Sequence, residues 1–257
     1  MWNWINKLEE LRAAGVPVVL VTLTQTTGST PREPGAKMLV LGDGEFYGTI
    51  GGGNLEQLAL EDARKFLSDG GSSRSVRYPL GAKTGQCCGG VVDLFFDIVN
   101  AGPRLYLFGA GHVGQSVCRT LVGTPFQVHL IDEREEWVHA KEVPASVIKH
   151  HVEWDEFVRN AEWRDDRTYV VVMTHRHDTD QNIIEDVIRR QAHYIGLIGS
   201  TSKWERFKQR LTARGVAEKE LSRVKCPIGL DVGGKAPQEV AISLAAELLS
   251  LYYREQK

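Results

Sequence analysis

Two cysteines stand side by side, Cys87 and Cys88, between Gln86 and the pair Gly89-Gly90. A thiolate is the form that binds a metal or transfers sulfur, and nearby Lys83 is placed to lower its pKa. The flanking glycines leave room for a large ligand to approach the sulfurs. The spacing is not that of a zinc site, since this half of the chain has no C-x-x-C and no partnered histidines. Cys118, inside a helical stretch, reads as core.

Oxyanion chemistry is written into two other loops of the same half. Thr27, Ser29, Thr30 and Arg32 place three hydroxyls and a guanidinium in one short turn, followed by Gly35 and Lys37. Such a set suits a phosphate or another oxyanion. Gly51, Gly52 and Gly53 precede a helix with Glu56 one turn in, which makes a second candidate anion cradle.

The second half carries a G-x-G-x-x-G, formed by Gly109, Gly111, His112 and Gly114 with their neighbours. It follows a strand, opens a helix, and has Asp132 at the end of the next strand, 23 residues after Gly109. That context is the dinucleotide-type fingerprint, with phosphate at the helix N-terminus and the acidic residue on a ribose hydroxyl. Asp132 has the alternative of capping the segment after it, and His112 of capping the turn instead of donating to phosphate. His175, His177 and Asp178 follow another strand at its carboxyl end, where open α/β sheets bind ligands. They could contact a ligand, hold a metal or cap the next helix. Ser200 with Lys203 ends the neighbouring strand on the same edge. The loop from Cys226 to Lys235, rich in glycine, precedes the last helix.

Periodicity supplies the elements that must position these groups. Helices are predicted over Trp2–Ala14, Asn54–Ser68, Val113–Leu121 and Pro237–Tyr253. Strands are predicted over Val16–Thr24, Lys37–Leu41, Phe46–Ile50, Ser75–Pro79 and Val91–Val99, with a polar loop from Thr26 to Gly35. A stretch of turn formers, Asn100–Pro103, divides the chain into domains 1–100 and 104–257. Beyond it, strands at Arg104–Phe108, Gln127–Ile131, Ser146–Lys149, Thr168–Met173 and Tyr194–Ile198 alternate with helices. The fold class is therefore α/β: a C-terminal Rossmann-type, doubly wound parallel sheet with a smaller N-terminal α+β domain.

Composition excludes several classes. With 31 Lys+Arg against 33 Asp+Glu among 257 residues, the net charge is −2 and there is no basic patch for nucleic acid. No apolar run approaches the length of a membrane span. The N-terminus lacks the layout of a signal peptide, and four cysteines do not make a disulfide scaffold, so a reducing cytoplasm is expected.

Taken together, these segments resemble the XdhC/CoxI family, accessory proteins of xanthine-dehydrogenase-type molybdenum enzymes. The matching strings are TGSTPREPGAKMLV (27–40), GTIGGGNLE (48–56), GQCCGG (85–90), LYLFGAGHVGQ (105–115), THRHDTDQ (174–181), YIGLIGSTSK (194–203) and PIGLDVGGKAPQEVAISLAAEL (227–248). The resemblance implies a chaperone, not a catalyst. It would bind molybdenum cofactor, in a molybdopterin or dinucleotide form, protect it during sulfuration and deliver it to a molybdenum hydroxylase. The family's Cys-Gly-Gly element maps onto Cys88-Gly89-Gly90, which makes Cys88 the first candidate for the sulfur that contacts the cofactor and its molybdenum, with Cys87 second. The turn at 109–114 would hold the pterin phosphate or a nucleotide such as NAD(P). A xanthine-dehydrogenase-type enzyme is the implied partner, a cysteine desulfurase a further candidate, and a homodimer the expected state. The competing readings are an NAD(P)-dependent oxidoreductase and a nucleotide-sensing regulatory protein, because Rossmann domains serve all of these.

Overall fold

The computed structural model describes residues 3–69, 73–80 and 89–254. The chain divides into two compact units, Met1–Gly102 and Pro103–Lys257.

The first unit is built on a five-stranded antiparallel sheet. Its strands are β1 (Val18–Thr27), β2 (Lys37–Leu41), β3 (Phe46–Gly48), β4 (Arg74–Pro79) and β5 (Val91–Val99), in the order β3-β2-β1-β5-β4. Alternation along β1 decides which side each residue faces. Val19, Val21 and Leu23 join Met38, Val40, Leu94 and Phe96 under helix α2 (Gly53–Ser68), which contributes Leu55, Ala59, Ala63 and Phe66. Val18 and Leu39 point the other way, toward Leu11 of helix α1 (Asn3–Ala13). β1 runs three residues past its predicted end because β5 keeps it paired, Thr26 with Val92 and Thr27 with Val91. β3 stops two residues early, at Gly48, where the chain turns so that Thr49 N–H donates to the Lys37 carbonyl.

The second unit is a six-stranded sheet whose strand pairs are all parallel. Its strands are β6 (Arg104–Phe108), β7 (Gln127–Asp132), β8 (Ile148–His151), β9 (Arg164–Val172), β10 (Ala192–Leu197) and β11 (Val224–Lys225), ordered β11-β10-β9-β6-β7-β8. The winding reverses between β6 and β9, the switch point of a doubly wound fold. Strands covered on both faces read as continuous apolar runs. Leu105 and Leu107 face helices α3 (His112–Thr120) and α9 (Pro237–Arg254). Tyr106 and Phe108 face α5 (Trp154–Asn160), α6 (His177–Val187) and α7 (Thr201–Ala213). Two four-residue helices, α4 (Glu135–Val138) and α8 (Glu218–Leu221), complete this unit. β8 lies two residues later than predicted, because His150 and His151 pair with Ile131 and Asp132 although histidine is a poor strand signal. The two-residue β11 escaped the sequence reading altogether. Cys118 lies on the buried face of α3, and burial pushes its thiol up to about 12. No helix among the described residues is long and apolar enough to cross a membrane.

One pair in this core makes the fold sensitive to acid. The rings of His129 (β7) and His150 (β8) stack with centroids 5.2 Å apart, and Nδ1 of the first lies 3.0 Å from Nε2 of the second. Burial, with His150 alongside, pushes His129 down to about 3, and burial lowers His150 as well. An unfolded histidine takes up a proton below about pH 6.5, whereas the folded ring does not until near its depressed value. The fold is therefore expected to lose stability progressively from about pH 6.5 downward, by up to about 1.4 kcal/mol per pH unit for each histidine that stays neutral. Urea unfolding between pH 7 and pH 4 checks this. His129→Gln should flatten the slope, and an unchanged slope would contradict it.

Candidate functional site

In the first unit the oxyanion turn and the glycines after the Cys-Cys pair meet backbone to backbone. A Cβ at Gly90 would collide with the Ser29 carbonyl oxygen and lie 2.7 Å from that of Thr27. A Cβ at Gly28 would stand 3.2 Å from the Gly90 Cα. Only glycine lets these two segments pack so closely. The Leu80 N–H donates to the Gly90 carbonyl at 2.7 Å, closing the base of the β4–β5 connection. Lys83, Gln86, Cys87 and Cys88 belong to that connection and lie outside the described residues. Thr27, Ser29 and Arg32 are exposed on this turn, and Thr30 Oγ1 donates to the Arg32 carbonyl at 3.1 Å.

The second predicted cradle already holds an anion, one supplied by the chain. Glu56 reaches back from the first turn of α2, and its Oε1 accepts from the N–H groups of Ile50 (3.0 Å), Gly51 (3.3 Å) and Gly52 (2.8 Å), and from the Thr49 hydroxyl. Gly53 opens α2 beside it. This loop therefore acts as a brace. A Cβ at Gly51 would stand 2.6 Å from Pro31 Cγ, so the brace lies directly against the oxyanion turn.

In the second unit the glycine turn joins β6 to α3, as the spacing predicts, and the strand order puts it at the switch point. Gly109 adopts φ +116°, and a Cβ there would collide with the Met173 carbonyl of the neighbouring strand end. A Cβ at Gly114 would collide with the Gly109 carbonyl, whereas Gly111, the residue before α3, has nothing within 4 Å. Two glycines thus allow close packing, and the middle one leaves open space where a phosphate approaches the helix N-terminus. His112 is exposed, with its ring edge-on to Trp137 at 5.3 Å.

Asp132 ends β7 with its carboxylate buried against this turn. It accepts from the Ala110 N–H at 2.7 Å and from Arg134 through the backbone N–H and two guanidinium nitrogens. Burial alone would push this carboxyl up, yet the hydrogen bonds from Arg134 and Ala110 outweigh it and hold it below the ordinary range. A shallow cleft of about 30 Å³ opens beside it, lined by Gly109, Asp132, Glu133, Trp154, Thr174 and His175 among others.

The remaining predicted residues divide by what they touch. His175 borders the cleft and faces Glu133 at 4.0 Å. His177 begins α6, and Asp178 pairs with Arg176 at 2.6 Å. Among the described residues no three His, Cys, Asp or Glu side chains gather as a metal site. Ser200 caps α7, accepting from the Lys203 N–H. The Lys203 ammonium donates to Asp180 Oδ2 at 2.7 Å and to the Ile198 carbonyl at 2.9 Å. Asp180 is 1% exposed, and its other oxygen accepts from the N–H and hydroxyl of Thr174. Lys203 is thus directed at the protein and holds the cleft-lining loop after β9. Sequence reasoning missed Asp180 as its partner; the available signal was an acid and a base in the first turns of helices that follow adjacent strands. It also missed Arg134 and Trp154, for which the spacing held no signal.

A parallel sheet wound in this order, with a glycine turn and an acidic strand end at its switch point, defines a Rossmann domain. Residues 105–248 match the XdhC Rossmann domain and residues 11–79 match the XdhC and CoxI family, so the chain belongs to the XdhC/CoxI family. Its relatives include the uncharacterized protein YqeB of Escherichia coli (strain K12), 30% identical over 253 residues that make up 97% of this chain and 46% of YqeB. A protein of Bacillus subtilis (strain 168) described as a probable xanthine dehydrogenase subunit is 28% identical over 61% of this chain and 45% of its own length. The chain thus spans less than half the length of these two relatives. The molybdenum cofactor insertion chaperone PaoD of E. coli (strain K12) is 23% identical over 96% of this chain and 87% of its own. A Bacillus halodurans crystal structure described as a xanthine dehydrogenase shares the fold, with a TM-score of 0.53, 22% identity and coverage of 98% of this chain and 96% of that one.

Proposed function

We propose that this protein binds molybdenum cofactor, protects it while it is sulfurated, and delivers it to a xanthine-dehydrogenase-type molybdenum enzyme. Family membership in both units supports the reading, as does the name of the relative PaoD. The observation that carries it is the nesting of Gly90 under the carbonyls of Thr27 and Ser29. This ties the residue two places after Cys88 to a turn that bears three hydroxyls and Arg32. A molybdopterin offers such a turn a phosphate, and a soft, sulfur-bound metal suits a thiolate. Cys88 is the proposed contact, with Cys87 next to it. The chain acts as carrier, and a cysteine desulfurase is the proposed sulfur source. The switch-point cleft of the second unit is assigned to a phosphate-bearing ligand, the nucleotide part of the cofactor or a separate nucleotide.

Anaerobic binding of molybdenum cofactor to the full chain tests the first step. Wild type should bind stoichiometrically, and Cys88→Ala should bind at least about tenfold more weakly, a difference near 1.4 kcal/mol. Absence of binding by wild type would overturn the carrier reading.

A further inference from the structure

The turn that carries three hydroxyls and Arg32 is shaped from outside. Pairing of β1 with β5 ends at Thr27, and the chain regains the sheet at Gly35, whose N–H donates to the Leu23 carbonyl at 2.8 Å. Between these points Thr27, Ser29 and Arg32 stand exposed, and Thr30 Oγ1 donates to the Arg32 carbonyl. Two backbone segments press on this excursion. Gly90 nests under the carbonyls of Thr27 and Ser29. Gly51 packs against the other part: a Cβ there would stand 2.6 Å from Pro31 Cγ and 3.5 Å from Arg32 Cγ.

What fixes Gly51 is the half-buried Glu56. Its Oε1 accepts from the N–H groups of Ile50, Gly51 and Gly52 and from the Thr49 hydroxyl. A glutamate that merely capped α2 would take the N–H of Gly52, the residue before the helix. Here the same oxygen also takes the two N–H groups upstream, so the carboxylate fixes the loop as well as the helix. Successive N–H groups converging on one oxygen form an anion nest. Gly51 and Gly52, at φ +134° and +78°, take the backbone shape this needs. The start of the loop is tied to the sheet, the Thr49 N–H donating to the Lys37 carbonyl at 3.1 Å. Without the carboxylate the three N–H groups lose their shared acceptor, and Gly51 loses what holds it against Pro31.

We propose that Glu56 is the positioning residue of the oxyanion turn. Its carboxylate in the Ile50–Gly52 nest fixes Gly51, and through Gly51 it holds Pro31 and Arg32 in the arrangement that binds a phosphate-type oxyanion. This rests on reading the Thr27–Arg32 turn as an oxyanion site and is independent of the role of Cys88. Glu56 acts through preorganisation of the turn. The sign of its effect is therefore opposite to that of simple charge repulsion: removing one anion beside the site weakens the binding of another.

Titration of the full chain with inorganic phosphate at constant ionic strength, followed by amide NMR, tests this in wild type, Glu56→Ala and Glu56→Gln. Circular dichroism confirms that each variant is folded. In wild type, phosphate should shift the amide signals of Ser29, Thr30 and Arg32. Glu56→Ala should bind about tenfold more weakly at those signals. Glu56→Gln keeps an acceptor oxygen without the charge and should fall between; if Glu56→Ala does not fold, this variant carries the test. Acetate supplies the atoms that truncation to alanine removes. It should raise the phosphate affinity of Glu56→Ala, whereas in wild type, with the nest filled, it only competes. Unchanged or tighter phosphate binding in the folded variants, or acetate that lowers the affinity of Glu56→Ala as it does that of wild type, overturns the positioning role and leaves the oxyanion reading standing. Phosphate that leaves the wild-type signals unmoved overturns both.

Discussion

Lys203→Met is expected to destabilise the second unit by about 3–5 kcal/mol, the cost of leaving a buried charge without its partner. Asp180 is 1% exposed, and the Lys203 ammonium 2.7 Å away is the cation that compensates it. Its remaining donors, the N–H and hydroxyl of Thr174, are neutral. Methionine keeps the length and apolar stem of lysine, so the loss isolates the charge. Urea unfolding measures it, and the double variant Lys203→Met with Asp180→Asn should recover a large part, because it no longer buries an unpaired carboxylate. A loss below about 1 kcal/mol would mean that the pair behaves as an exposed one. The loop held by this pair carries Thr174 and His175, so the single variant should also weaken nucleotide binding.

Gly109→Ala is the second large expectation. Its φ of +116° is one that L side chains rarely adopt, and the added Cβ would collide with the Met173 carbonyl at the end of β9. Backbone strain alone costs about 1–3 kcal/mol, and the steric clash between β6 and β9 adds to it. A total near 3 kcal/mol or more, with loss of mononucleotide binding, is expected from unfolding and titration. Gly111→Ala provides the contrast. Nothing lies within 4 Å of its Cβ, so stability should change by less than about 1 kcal/mol while binding weakens, because the methyl group occupies the space where phosphate approaches. Equal stability losses in the two variants would contradict the division of roles among these glycines.

What the sequence made legible was the part written in local pattern. β2, β5 and β6 begin and end where alternation and turn residues place them, at Lys37–Leu41, Val91–Val99 and Arg104–Phe108. The glycine turn could be read because strand, glycines and helix are consecutive in the chain. Polar strand ends such as Thr26-Thr27 and His150-His151 could not, because only pairing with a neighbour makes them strands. The same limit explains the sites. Nothing local to Gly51–Gly53 shows whether its N–H groups await a ligand or Glu56, four residues beyond Gly52; helix geometry decides for Glu56. Likewise Lys203 looked available until the fold placed Asp180, 23 residues earlier, beside it. Asp132 was rightly located at the end of β7, but its engagement by Arg134 depends on side-chain placement that spacing does not encode.

The most direct test of the carrier role is delivery. The protein, loaded anaerobically with molybdenum cofactor and freed of excess by gel filtration, is mixed with a cofactor-free xanthine dehydrogenase, and the return of xanthine oxidation is followed against time. Reactivation that scales with loaded wild-type protein, exceeds that from free cofactor and falls in Cys88→Ala is the expected result. Reactivation no better than free cofactor, or equal for wild type and Cys88→Ala, would contradict delivery through a thiol-held cofactor.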